Sequence, residues 1–345
     1  MKKSIISFIA IAMMAVTTIF AQSSLVATLV HNDTIKAFYG PEALQLAYQS
    51  AVNGDTINLS EGSFYSTDIG KSLTIRGAGM ALDTIARTGI TTIAGEFVLQ
   101  TKDITIEGIY SNNTIKYFGD VSNTTFIKCR LQFIAPYSEG GDSRLEATFV
   151  NCRIVDALLN YARYKGPSFI ECINCIVREA TYSSASVNNR ERSYLFKNCI
   201  IKDVRAPGGA TTTYNNCIFV YDDSNRVFDT DGVTVFNCIE VADTEREDNG
   251  IFKNIGNTSN KSVTDFSKVF KTFRGGDFLE TEDFELTDAA KTTYLGMDGK
   301  EVGIHGGNVP YRPTLDFPQI TKCVVADKTT ADGKLSISIE VKNAN

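Results

Sequence analysis

Tryptophan is absent from the 345 residues, and histidine occurs only twice, as His31 and His305. The first absence removes the strongest aromatic platform for stacking on sugar rings and leaves Tyr and Phe for that task. The second excludes a multi-histidine metal centre, and two rings near opposite ends of the chain argue against a Ser-His-Asp triad. Surplus positive charge is also missing, since 34 basic side chains face 40 acidic ones. General nucleic-acid binding depends on neutralising phosphates, so no nucleic-acid partner is expected. Beyond residue 21 no apolar run is long enough to cross a bilayer, which takes about 20 residues as a helix.

The chain opens with "MKKSIISFIAIAMMAVTTIFAQSS". Lys2 and Lys3 precede an apolar run that ends at the small residue Ala21. This is the pattern of a secretory signal peptide over residues 1–21. It predicts export to the periplasm, the outer surface or the medium, with no transmembrane segment left after cleavage. No cysteine follows the run, so a lipid-anchored start is not expected. Without Lys2 and Lys3 the mature chain carries 32 basic and 40 acidic side chains, a net charge of −8.

What the sequence does contain is a ladder. "TTFIKCRL", "ATFVNCRI", "PSFIECINCIV", "YLFKNCII", "TTYNNCIF" and "TVFNCIEV" align on Cys129, Cys152, Cys175, Cys199, Cys217 and Cys238. Steps near twenty-odd residues with short alternating apolar runs predict a β-solenoid, in which each repeat buries its face against its neighbours. A leucine-rich repeat has a similar period, but its Leu-x-x-Leu-x-Leu frame is absent. Within "FVNCRI", Phe149 is expected to point inward, Asn151 to turn the corner, and Cys152 and Ile154 to continue the inward row. Asn tolerates the left-handed backbone that a sharp corner requires. Asn198, Asn216 and Asn237 fall in the same slot, as does Gly108. Lys128 departs from it, and the frame moves to Asn174-Cys175 in the third of these repeats, where Glu171 otherwise takes the slot. Stacked corner amides are expected to bond one another between coils, because a buried amide without partners costs about 1–3 kcal/mol.

Eight cysteines in an exported chain suggest a disulfide framework. The solenoid argues otherwise. Inward residues on successive parallel strands lie about 4.8 Å apart with parallel side-chain vectors, whereas a disulfide needs converging Cβ atoms. Buried free thiols acting as small apolar fillers are the favoured reading. The "CINC" pair has no companion Cys-x-x-Cys, so it is a poor metal motif.

Upstream, "YGPEALQLAYQSAVNGDTINLSEGSFY" reads as a helix with the stripe Ala43, Leu44, Ala47, Tyr48 and Ala51, ended by Gly54 and followed by a strand. A helix there would cap the open end of the solenoid core. This stretch and "KSLTIRGAG" resemble the first coils of right-handed parallel β-helix proteins of the pectate-lyase-like superfamily. The Asn-Cys repeats resemble those of secreted Bacteroidetes members. "DFELTDAAKTTYLGMDGKEVGIHGG" resembles their closing segment, with its DG-x-x-x-G-x-x-GG pattern. The likeness covers about residues 40–307 and implies the fold. It leaves the activity open, because that fold carries lyases, hydrolases, epimerases and non-catalytic adhesins. The expected organisation is an all-β parallel β-helix domain over residues 22–307, then a proline-containing linker and a strand pair, "ITKCVVA" with "KLSISIEV", over residues 308–345.

Chemistry is expected in the long connections near residues 134–146, 158–166, 178–193, 203–210 and 221–231, which stacked coils would place along one groove. Residues 163–205 carry eight basic side chains against four acidic ones, interleaved with tyrosines. Tyr161, Arg163, Tyr164, Arg178 and Arg190 are candidates for holding an anionic polysaccharide or cell-surface glycan, the alternative being solvated charge on outward strand positions. Asp222, Asp223, Asp229 and Asp231 could supply oxygen ligands to Ca²⁺, the alternative being turn chemistry. A lyase acting on uronic-acid sugars would need a base, for which Lys202, Arg205 and Arg192 are the candidates. A hydrolase would need paired carboxylates. "YDD" is similar to the paired Asp of polygalacturonases, but their Asn-x-Asp, Gly-His-Gly and Arg-x-Lys set is absent. With no complete acid–base set, non-catalytic glycan binding ranks first, ahead of a calcium-dependent lyase and a plain adhesin or scaffold.

Overall fold

The computed structural model describes residues 25–82, 89–136, 143–158, 167–180, 192–204, 211–221, 232–243, 247–255, 259–279, 281–315, 319–325 and 337–342. The chain forms a right-handed parallel β-helix built from two eleven-stranded sheets. Sheet A runs from the hairpin Val26–His31/Thr34–Tyr39 through Thr56–Leu59 to Val233–Phe236. Sheet B runs from Gly62–Tyr65 to Lys261–Thr264. From Thr56 onward the strands of these two sheets pair with one another in parallel; the hairpin is antiparallel, both within itself and against Thr56–Leu59, and closes the N-terminal edge of sheet A.

From the strand Thr105–Glu107 onward, each coil passes from sheet A to sheet B through one residue at positive φ. Gly108, Lys128, Asn151, Asn174, Asn198, Asn216 and Asn237 form this corner column, with φ from 49° to 66°. Lys128 keeps the corner geometry despite its side chain, and the fourth coil turns at Asn174, as the shifted frame requires. Inside the coil, residues of one register stack. Phe126 and Phe149 lie face to face with centroids 4.9 Å apart, and Phe196 stacks on Tyr214 at 5.0 Å. Cys172 pairs in register with both Phe149 and Phe196, so it occupies the aromatic column and Cys175 the thiol column.

The seven cysteines with described side chains are free and buried. Their geometry explains why. Each thiol of the column points along the stack and donates to a carbonyl of the preceding coil: Cys152 to Phe126 O, Cys175 to Phe149 O, Cys199 to Cys172 O. Burial pushes the Cys152, Cys199 and Cys217 thiols well up from their ordinary pKa. They stay protonated and act as donors rather than nucleophiles. Asn260 ends the column, accepting from Cys238 N and donating to Val235 O.

Helix α1 (Ala43–Ser50) covers the N-terminal end of the core with Ala43, Leu44 and Ala47, all fully buried. The chain beyond the last coil does something different. From Phe266 the chain returns along the outer face of sheet B and builds a second core there. Phe266, Phe270, Phe273, Phe284 and Ile304 pack on the outward residues Ile176, Ile200, Ile218 and Ile239. Helix α2 (Asp288–Thr293), capped by Thr287 Oγ1 on Ala290 N, contributes Ala290 to the same core. The strands Gln319–Val325 and Ile337–Lys342 form the expected antiparallel pair. Among the described residues no helix is long and apolar enough to cross a membrane.

The corner amides depart from expectation. Instead of bonding one another, all but Asn198, whose Nδ2 is buried without a partner, hold the returning chain. Asn237 Nδ2 donates to Leu295 O, and Asn216 Oδ1 accepts from Met297 N. Asn174 Nδ2 donates to both Ile304 O and Gly306 O at 2.8 Å. Asn151 Nδ2 donates to Val309 O while its Oδ1 accepts from Arg312 N, and Lys128 Nζ donates to Thr314 O. Residues 295–314 thus form a strap that descends the corner column rung by rung. Glycines permit the approach: a Cβ on Gly306 would lie 2.8 Å from Asn198 Nδ2, and one on Gly303 would lie 2.6 Å from the Ile218 side chain.

Candidate functional site

Parallel stacking fixes where the connections go. Every sheet B strand ends at the same edge, and every return to sheet A begins there. The strands ending at Pro136, Leu158, Ala180, Val204 and Tyr221 are followed by strands starting at Arg144, Ser168, Arg192, Thr211 and Val233. The connecting segments are therefore launched one above another, about 4.8 Å apart per rung. Tyr161, Arg163, Tyr164, Arg190, Arg205, Asp222, Asp223, Asp229 and Asp231 belong to these connections and lie outside the described residues. Among the described residues no group of three or more His, Cys, Asp or Glu side chains could hold a metal ion.

Three predicted residues are described, and the structure divides them. Arg192 opens its strand at the connection edge of sheet A, on the phase of the inward Tyr194 and Phe196. Arg178 and Lys202 instead stand on the outer face of sheet B, on adjacent strands. Both face Asp277 of the returning chain, whose Oδ1 lies 3.6 Å from Arg178 Nη2 and 3.1 Å from Lys202 Nζ. The Lys202 ammonium, and after it the Arg178 guanidinium, hold the Asp277 carboxyl below its ordinary pKa. Lys202 is only 14 % exposed, so an ion pair occupies the lysine among the three candidate bases. These two cations pin the return segment, and Arg153 reinforces them: its Nη2 donates to Phe278 O and Leu279 O.

That face also carries a cavity of about 390 Å³ that the sequence reading did not foresee. Its floor is Arg130 and Arg153, the first residues of adjacent sheet B strands. Arg130 lies over the Tyr110 ring at 4.5 Å, and Arg153 is 7 % exposed. One wall comes from the early coils, with Met80, Leu82 and Ile90; the other comes from the return segment, with Glu282, Asp283 and His305. His305 Nε2 meets Asp283 O at 2.6 Å, tying the strap to that acidic wall. Tyr311 closes the inner end, and burial raises its phenol well above its ordinary pKa.

A signal for this cavity was present in the repeats. The residue after each column cysteine is Arg130, Arg153, Ile176, Ile200, Ile218 and Ile239 in turn. Four isoleucines at an outward position mean a sheet covered on both faces, and the two arginines mark where the apolar cover stops.

No family model, curated protein or solved structure matches this chain.

Proposed function

We propose that this chain is an exported, non-catalytic β-helix protein of pectate-lyase-like architecture that binds anionic polysaccharide along the edge where the connections stack. The observation that carries the reading is the common launch edge of five successive connections, 137–143, 159–167, 181–191, 205–210 and 222–232. Five rungs span about 20 Å at the spacing of parallel strands, a ledge suited to an extended polymer rather than a small molecule. The basic and aromatic residues of the second and third connections, Tyr161, Arg163, Tyr164 and Arg190, supply charge and ring faces for acidic sugars. Engagement of Lys202 by Asp277 favours binding over elimination chemistry, because a base must be free to take a proton.

The test applies the mature chain to acidic and neutral polysaccharides by affinity electrophoresis at low and high salt. Absorbance for unsaturated products is followed with and without calcium. The expected result is salt-sensitive retention on an acidic polymer with no product, weakened in Arg163→Ala and Tyr164→Ala. Unsaturated product that depends on calcium would replace this reading with the lyase, with Arg192 and Arg205 as the bases to mutate and Asp222, Asp223, Asp229 and Asp231 as the ion's ligands. No retention on any polymer would overturn glycan binding and leave a scaffold.

A further inference from the structure

The N-terminal hairpin leaves a sheet edge open. Thr34–Tyr39 is the outermost strand of sheet A, and among the described residues no strand pairs with its far side. The direction of its main-chain groups follows from its neighbours. Val26 O accepts from Ser60 N, so the even residues of Val26–His31 turn toward Thr56–Leu59. Leu25 O accepts from Gly40 N, so the odd residues of that strand and the even residues of Thr34–Tyr39 turn toward each other. The N–H and C=O groups of Ile35, Ala37 and Tyr39 therefore point to the open edge. Little guards it. The strand holds no proline and no bulge, and its one charged residue is Lys36, whereas protected edges usually carry several such devices. The Lys36 ammonium lies over the Phe38 ring at 4.8 Å, along its own strand rather than across the edge. The hairpin is also held before any partner arrives. His31 Nδ1 lies 2.7 Å from Asp55 Oδ1 at the turn, Phe38 packs on the core, and helix α1 lies against both strands. A preformed edge reduces the ordering cost of binding.

Register decides what fits. An antiparallel copy of the same strand must set edge-facing residues against edge-facing residues. Centred on Lys36, it would put the two ammonium groups opposite each other, which is unfavourable. Centred on Phe38, it would put Pro41, which lacks an N–H, opposite Ile35. Centred on Ala37, it sets Ile35 against Tyr39, Ala37 against itself, and Lys36 against the Phe38 ring. Ile35 is 71 % and Tyr39 54 % exposed in the single chain. Within the hairpin Ile35 adjoins Val30 and Tyr39 adjoins Val26. The Ala37 register thus builds two unbroken rows on the outer face, each reading Val30, Ile35, Tyr39, Val26, and such aromatic–aliphatic pairs stabilise sheets.

We propose that two copies of this chain join through Thr34–Tyr39 as a two-fold antiparallel pair centred on Ala37, so that sheet A runs from one molecule into the next. A second copy is the occupant because this register pairs every edge-facing group, keeps the lysines apart and covers both exposed apolar side chains. A contact built on one strand pair is small, under about 1,200 Å², so the dimer is reversible.

Sedimentation velocity of the mature chain from about 1 to 200 µM tests this, with a reversible monomer–dimer equilibrium expected in that range. Ala37 is exposed, so Ala37→Glu and Ala37→Lys should keep the wild-type thermal midpoint. Each sets like charges opposite each other at the two-fold centre and should weaken the dimer by about five-fold or more. Mixed together, the two variants face opposite charges and should dimerise more tightly than either alone. Ala37→Pro removes the central edge-facing N–H while sparing the ladder to Val26–His31, and should abolish the dimer. If Ala37→Pro fails to fold, the charge pair decides alone. A wild-type chain that stays monomeric at about 200 µM, an open-ended assembly, a wild-type dimer constant in either charge variant, or a mixture no tighter than the single variants would each overturn the proposal. None of these outcomes bears on glycan retention at the connection edge.

Discussion

Replacing Asn174 probes the junction between coil and strap, because two effects converge there and can be separated. The side chain is 1 % exposed, and its Nδ2 serves two carbonyls of the strap at 2.8 Å. In Asn174→Ala both acceptors lose their donor in a buried setting, at about 1–3 kcal/mol each. The backbone at φ 50° adds a second cost, since a residue with a Cβ and no local polar group gives up about 1 kcal/mol or more in the left-handed region. The expected loss is therefore about 3 kcal/mol or more. Asn174→Gly removes the same two bonds but relieves the backbone, so it should be the milder variant by about 1 kcal/mol. Urea unfolding followed by far-ultraviolet dichroism and tyrosine fluorescence measures both, provided the two probes coincide and the slope is unchanged. If both variants stay within about 0.5 kcal/mol of the wild type, as ordinary surface substitutions do, the corner amide does not hold the strap and the reasoning fails.

Other outcomes follow from the same structure. Alkylation without reductant should modify none of the seven buried thiols in the native protein and all seven in denaturant; a thiol that stays blocked until reduced would mean a disulfide. Phe149→Ala should cost about 3–5 kcal/mol, because the ring is fully buried and stacked on Phe126; a loss under 1 kcal/mol on the order of a surface change would contradict the aromatic column. Asp55 supplies a pH dependence. Burial pushes its carboxyl up, but the Val52 N–H, His31 and Lys71 outweigh burial and hold it below its ordinary pKa. Its folded-state pKa is depressed, so its contribution is present above the unfolded value of about 4 and is lost as pH falls through the lower folded value. The melting-temperature gap between wild type and Asp55→Asn should close in that acid range, and a gap constant down to pH about 2 would refute the assignment.

The coil itself was legible in the sequence because its corners impose a residue type. A left-handed backbone at one fixed point per turn selects Asn or Gly, and that recurrence exposed the frame through Phe149, Asn151, Cys152 and Ile154. The parallel vectors of stacked side chains likewise made free thiols readable before any coordinates. The strap was not legible. Asn151 and Val309 are 158 residues apart, and a glycine-containing chain hydrogen-bonded by side-chain amides has no periodicity of its own. The antiparallel hairpin Val26–Tyr39 was passed over for a different reason: Val26–His31 alternates in burial, but nearly all of Thr34–Tyr39 stays exposed, so its residues show no buried face. For the site, the sequence showed a basic segment but not the segment's partners. Asp277, 75 residues beyond Lys202, converts a candidate base, Lys202, and a candidate glycan-binding residue, Arg178, into an internal clamp. The arginine floor escaped notice because Arg130 and Arg153 read as ordinary outward charges until the isoleucines that follow them in the column were seen to be covered.

Native-state hydrogen exchange tests the central arrangement most directly, by comparing strap amides with strand amides. The Met297, Gly303 and Arg312 N–H groups donate to the corner residues Asn216, Asn216 and Asn151. They should therefore exchange as slowly as the amides of the strand Arg144–Val150 within the stack. Free exchange of those three amides while the strand stays protected would show that the chain does not return along its own corners.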